Sequence, residues 1–90
     1  MTEDRDTRLR RLGIRSWRRG TREMDLILGR FWDEAGNALG ASELDLYEDL
    51  LGENDQELYA WVGGECEPPD RFVCLIARIK AHGTVSGRRR

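Results

Sequence analysis

The sequence predicts an all-α fold: a compact five-helix bundle of short helices in a single domain, followed by a flexible C-terminal tail. Three observations predict it. Apolar residues recur at i, i+3, i+4 and i+7 in successive segments, no segment alternates apolar and polar residues as a half-buried strand would, and Gly, Asn and Pro clusters divide the segments at short intervals. The length of 90 residues suits one core and is too short for two. With 39% hydrophobic and 36% charged residues, the chain is polar but keeps enough Leu, Ile, Trp and Phe to exclude wholesale disorder.

Residues 1–6 read as a flexible N-terminus and residues 7–83 as the helical domain. The first helix is expected to begin after Asp6 or Thr7 and to reach Arg19, with Leu9, Leu12 and Trp17 inward. Arg15, Arg18 and Arg19 fall in its last turns, where cations complement the helix dipole. Gly20 then offers a C-terminal cap, while Thr21 as an N-cap and Glu23 and Asp25 as first-turn acids open a new helix. A break at Gly20 is therefore expected. One helix running through it stays open, since an internal glycine costs only about 1 kcal/mol relative to Ala.

The second helix spans about Arg22 to Glu34, because Met24, Ile27, Leu28 and Phe31 form one apolar face, and Gly36, Asn37 and Gly40 end it. Ser42 followed by Asp45 suggests a capped third helix with Leu44, Tyr47 and Leu51 inward and Gly52 past its end. Asn54 with Glu57 repeats that signature for a short fourth helix carrying Leu58, Trp61 and Val62, closed by Gly63 and Gly64. Pro68-Pro69-Asp70 turns the chain into a last helix, Arg71–His82, with Phe72, Leu75, Ile76 and Ile79 at helical spacing. A buried strand is the rival for Phe72–Ile79, but length and spacing favour helix. Residues 84–90 hold no apolar cluster and read as a basic disordered tail.

The chemistry-bearing residues are sparse. His82, the one histidine, sits at a helix end with no nucleophile in a recognisable pattern beside it. Acids from Glu43 to Glu57 read as a solvated face, and Glu53–Glu57 lacks the ligand spacing and central glycine of a calcium loop. The glycines form neither GxGxxG nor a P-loop. Cys66 and Cys74 lie eight apart without CxxC, which argues for reduced thiols and against a zinc site or disulfide scaffold. No enzyme, bound metal or stably held cofactor is expected. The longest apolar run, Phe72–Ala77, is far below the roughly 20 residues of a membrane span, and MTEDRDTRLRR offers no signal-peptide core, so a cytoplasmic monomer without membrane insertion is expected.

The net charge of −2 conceals a segregated pattern. Residues 1–22 carry eight arginines against three acids, residues 23–70 fourteen acids against Arg30, and residues 71–90 six basic residues and no acid. Such blocks suggest a two-signed surface that steers a partner by complementary potential. Nucleic-acid binding by Arg8, Arg10, Arg11, Arg15, Arg18, Arg19 and Arg22 around Trp17 is disfavoured by the acidic middle, which repels the same backbone.

The most unusual local feature is Trp17-Arg18-Arg19-Gly20-Thr21-Arg22-Glu23-Met24-Asp25. A turn at Gly20 gathers Arg18, Arg19, Arg22, Glu23 and Asp25 at one corner, with no side chain on Gly20 to hold another backbone away. Physics alone leaves two readings open: a docking surface, or a capped interhelical turn held by an Arg19–Glu23 pair.

Within that stretch, Arg19-Gly20-Thr21-Arg22-Glu23 matches Arg-Gly-x-x-Glu, and the likeness extends through Leu28, Phe31, Leu50-Leu51, Asp55 and Leu58-Tyr59-Ala60-Trp61-Val62. On these residues the chain resembles the small FAD assembly factors of succinate dehydrogenase, SdhE in bacteria, over about residues 8–80. Thr21 departs from the Met common in the family, and Gly63-Gly64-Glu65-Cys66 follows Trp61 where members vary. The resemblance implies a nonenzymatic chaperone that binds the flavoprotein subunit of succinate dehydrogenase, and in some bacteria of fumarate reductase, and promotes covalent attachment of FAD to it. FAD would be the client's cofactor, and Trp17, Arg18, Arg19, Gly20, Glu23 and Asp25 the client-binding residues. Trp61 is expected in the core beneath them. The rival is a helical interaction module or regulator with another partner.

Overall fold

A computed structural model describes residues 3–88, with side chains through residue 82. The chain forms α1 (Arg5–Trp17), α2 (Arg22–Ala35), α3 (Ala41–Leu51), α4 (Asp55–Gly63) and α5 (Val73–Arg88), with single 3-10 turns at Gly36–Ala38 and Asp70–Phe72. No strand occurs among the described residues. The five-helix, all-α expectation holds, and α1 and α2 break at Gly20.

Several boundaries differ from the sequence reading for identifiable reasons. Asp4, two residues before the expected cap, accepts the Thr7 N–H at 2.9 Å, so α1 takes in residues assigned to a flexible N-terminus. At its other end α1 stops at Trp17, leaving Arg18 and Arg19 in the connection. Gly40, not Ser42, caps α3: Glu43 reaches back and its Oε1 accepts the Gly40 N–H at 2.9 Å, the return half of a capping box. Asn54 caps α4 as expected, accepting the Glu57 N–H at 2.9 Å, and Gly64 ends it in the left-handed region at φ 84°. A 3-10 turn replaces the first residues of the expected last helix. That helix then continues past Gly83 to Arg88, through five of the seven residues of the expected tail. One internal glycine costs too little to stop a helix that gains a hydrogen bond with each added residue. Residues 89 and 90 of that expected tail lie outside the described ones.

The core runs from Leu12 on α1 through Met24, Leu28, Phe31 and Trp32 on α2, Leu44, Tyr47 and Leu50 on α3, and Leu58 and Trp61 on α4 to Ile76 and Ile79 on α5. Trp61 packs against Phe72 at 5.9 Å between ring centroids, a core position at the α4–α5 junction. Trp32 stacks on Tyr47 at 5.1 Å and fits because α1 and the 3-10 turn after α2 carry glycines against it: a Cβ on Gly13 would meet the indole at 2.9 Å and one on Gly36 at 2.6 Å. His82 is not a plain surface histidine. Its Nδ1 lies 3.0 Å from Glu34 Oε1 and its ring meets Phe31 edge-on at 5.3 Å.

Ser16 is the one buried polar residue among the described ones, and it binds Leu12 O at 2.8 Å and the Tyr47 hydroxyl at 2.6 Å. Burial pushes the Tyr47 phenol up to about 12, because the phenolate would lose its hydration. The unfolded chain therefore releases this proton first as pH rises. The contribution of neutral Tyr47 to stability is full below pH 10 and is lost between pH 10 and about 12. Urea denaturation across that range should show a loss of about 2 kcal/mol that Tyr47→Phe, folded at neutral pH, does not show.

Candidate functional site

The α1–α2 corner is built by local chemistry that the sequence states plainly. Gly20 adopts φ 105°, a conformation costly for any residue with a Cβ, and reverses the chain. Thr21 caps α2, its hydroxyl accepting the Met24 N–H at 3.3 Å. Asp25, one turn into α2, reaches back over the glycine and accepts the Arg19 N–H at 2.6 Å. The turn is thus closed from both sides.

Arg19 does not face outward. Its Nη1 donates to Leu51 O at 2.6 Å, its Nη2 to Glu53 O at 2.8 Å and its Nε to Asp55 Oδ1 at 2.9 Å, leaving the side chain only 11% exposed. The Arg19–Glu23 pair weighed from sequence is replaced by Arg19–Asp55. One guanidinium therefore fastens the α1–α2 corner to the α3–α4 connection.

The other sequence-nominated residues divide between two hollows that flank Thr21. Trp17, Arg18, Gly20 and Asp25 line the first together with Arg22 and Leu26. Trp17, expected inward, lies flat across Gly29 of α2 with its Nε1 donating to Asp33 Oδ1 at 3.2 Å, and remains 37% exposed. Glu23 is exposed and lines the second hollow with Gln56 and Tyr59 of α4. A Cβ on Gly20 would meet nothing within 4 Å, so the outer side of the turn is open to a partner. Sequence reasoning placed Arg22 at the corner without naming it among the client-binding residues, and passed over Leu26, Gln56 and Tyr59. The signal for Tyr59 was present: two residues before Trp61 on a helix it points about 160° away from that core side chain.

Much of the basic N-terminal block is engaged within the molecule. Arg8 binds Asp45 at 2.7 Å and Glu48 at 3.0 Å, and Arg11 binds Glu48 at 2.7 Å and Glu3 at 2.8 Å. Hydrogen bonds from Arg11 and Arg8 hold the Glu48 carboxyl below the usual range, and the Arg11 bond does the same for Glu3. Arg5 donates to Asn37 O and Leu39 O, both at 3.0 Å. Most of the arginines that suggested a nucleic-acid footprint thus face the protein's own acceptors. At the corner Arg18, Arg22 and Glu23 make no ion pair with any described residue.

A family described as Sdh5, flavinator of succinate dehydrogenase, matches residues 10–83, which include this whole corner. The chain belongs to this family. It is 35% identical over 63 residues to the FAD assembly factor SdhE of Legionella pneumophila strain Lens, covering 70% of this chain and 80% of that one. To the SdhE of Coxiella burnetii it is 37% identical over 64 residues, 70% of this chain and 78% of that one. With the mitochondrial succinate dehydrogenase assembly factor 2 of Meyerozyma guilliermondii it shares 42% identity over 59 residues, 66% of this chain and 44% of that one. The chain thus spans less than half of the yeast relative and about four fifths of the bacterial ones. No solved structure gives a significant match. This flavinator family is one of assembly factors, not catalysts, and no helix among the described residues is long and apolar enough to cross a membrane.

Placing Arg19 inside the framework makes its loss structural. Arg19→Ala leaves two carbonyls and the Asp55 carboxylate without their donor and should cost about 2–3 kcal/mol in urea denaturation. Arg19→Lys should recover less than half of that loss, because an ammonium cannot match three acceptors spread around a planar fork.

Proposed function

We propose that this chain binds the flavoprotein subunit of succinate dehydrogenase, and where present that of fumarate reductase, through its α1–α2 corner and promotes covalent attachment of FAD to that client. Family membership supports the client and the process. The observation that carries the corner as the contact surface is the contrast within it. Arg19 and Asp25 are tied into the fold, whereas Glu23, Arg18 and Gly20 stand exposed and unpaired on the rigid turn those ties create.

The part played by the chain is differential binding, favouring the client arrangement in which its own groups meet FAD. Gly20 admits a client backbone close to the turn, Glu23 and Arg18 offer charge-assisted hydrogen bonds, and Trp17 adds apolar area with its indole held by Asp33. FAD is the client's cofactor on this reading. The chain has no glycine-rich dinucleotide motif, and the hollows at the corner are open surface features, so no step of the chemistry is assigned to its residues. It acts as a cytoplasmic monomer.

Covalent flavin fluorescence of the host's succinate dehydrogenase flavoprotein on a denaturing gel tests this. The band should be lost on deletion of the gene and fall by about tenfold with Glu23→Ala, an exposed change that leaves the fold intact. Gly20→Arg should abolish the band too, although its positive φ adds about 1–2 kcal/mol of strain, so its helicity must be checked by circular dichroism. An unchanged band in a deletion host without a second assembly factor would favour a helical interaction module with another partner.

A further inference from the structure

The second hollow at the corner has a composition of its own. It encloses about 300 Å³ between the first turn of α2 and the first turns of α4, with Thr21, Glu23 and Met24 on one side and Asp55, Gln56 and Tyr59 on the other. Two carboxylates line it, but they differ in state. Asp55 is engaged by Arg19 at 2.9 Å, whereas Glu23 has no hydrogen-bond or ion-pair partner among the described residues. Tyr59 is 50% exposed, a large aromatic face left open to solvent beside that carboxylate. The unpaired arginines of the corner, Arg18 and Arg22, line the other hollow.

We propose that the Glu23–Gln56–Tyr59 hollow is a subsite for one basic side chain, Lys or Arg, presented by the flavoprotein client. This rests on the client-binding reading above and adds to it a second wall, from α4, that the Arg-Gly-x-x-Glu motif does not contain. A cationic head placed there meets the Glu23 carboxylate and the Tyr59 ring, the two groups that favour it most, while its aliphatic stem covers apolar surface. An acidic or purely apolar side chain would instead bury Glu23 without a partner, which is strongly unfavourable. The Gln56 side chain supplies a further acceptor within the same hollow.

The fold explains why the two walls face each other. Asp55 opens α4 and Tyr59 lies one turn later on the same face, so the bond from Arg19 to Asp55 also positions the turn that carries Tyr59. On the other side Thr21 caps α2 and sets the direction of the turn that carries Glu23. Arg19 is thereby a positioning residue for the subsite.

The test titrates the full chain against the purified apo flavoprotein subunit of succinate dehydrogenase by calorimetry, at low and at physiological salt. Glu23→Gln keeps the shape and an acceptor but removes the charge; it should weaken binding about tenfold at low salt and reduce the salt dependence. Tyr59→Ala should weaken binding about tenfold, while Tyr59→Phe, which keeps the ring, should stay within about twofold of wild type. Both positions are exposed, and unchanged thermal melts confirm that the variants remain folded. Wild-type binding by Glu23→Gln at both salts, or by Tyr59→Ala, overturns the subsite while leaving the proposed function standing. Equal weakening by Tyr59→Phe and Tyr59→Ala overturns the role of the ring. A wild-type chain that fails to bind the flavoprotein overturns the proposed function itself, and the subsite with it.

Discussion

The guanidinium of Arg19 is the contact on which the arrangement of the corner depends. The last carbonyls of a helix lack intrahelical partners and carry its negative dipole end, and Leu51 O belongs to that set at the end of α3. Arg19 fills this vacancy from a different part of the chain, adds the Glu53 carbonyl and closes on Asp55 at the start of α4. Three acceptors with one charge match the planar donor fork well, and mostly buried bonds of this kind are stronger than surface ion pairs. Since Asp25 holds the backbone N–H of the same residue, the turn between α1 and α2 and the turn between α3 and α4 become one unit.

That unit stands apart from the ion pairs elsewhere. Arg8 and Arg11 meet Asp45, Glu48 and Glu3 on partly exposed surfaces, and Arg71 and Arg78 meet Asp49 and Glu43 in the open. Such exposed pairs contribute little to stability and weaken with salt. Their collective effect is on orientation: basic α1 lies along acidic α3, so the charge blocks that looked like a partner-steering surface in the sequence are in good part a device for packing the chain on itself. Some charge is left unmatched at the corner, with Arg18 and Arg22 on one side of Thr21 and Glu23 on the other.

Local chemistry was legible in the sequence wherever one cap had no rival. Thr21 and Asn54 cap the helices they were expected to cap, and the break at Gly20 follows from helix-ending and helix-starting signals only a few residues apart. Where two candidates lay close together, the local pattern could not choose. Asp4 competes with Asp6 and Thr7, and Gly40 gains its place over Ser42 only because Glu43 can fold back to it. The site was legible to the same depth. Its residues were found because they adjoin the turn, and helical spacing from Trp61 could have marked Tyr59 as outward, but the inward course of Arg19 depends on Asp55, 36 residues away. Long-range pairing of this kind leaves no trace in periodicity or capping.

The three specified positions of Arg-Gly-x-x-Glu therefore differ in physical kind, although they read as one motif. Arg19 points into the fold and fixes the relation between two turns, Gly20 supplies a backbone angle and an open outer side, and Glu23 points to solvent. A contact surface for a client needs both kinds. A charged side chain on a loose turn would lose much of its interaction energy to ordering on binding, whereas one on a turn already closed by Asp25, Thr21 and Arg19 has met that cost during folding. Under the proposed function, in which the chain favours one arrangement of its client, stiffness is the property that matters, because a surface that adapts to both arrangements shifts the balance between them by nothing.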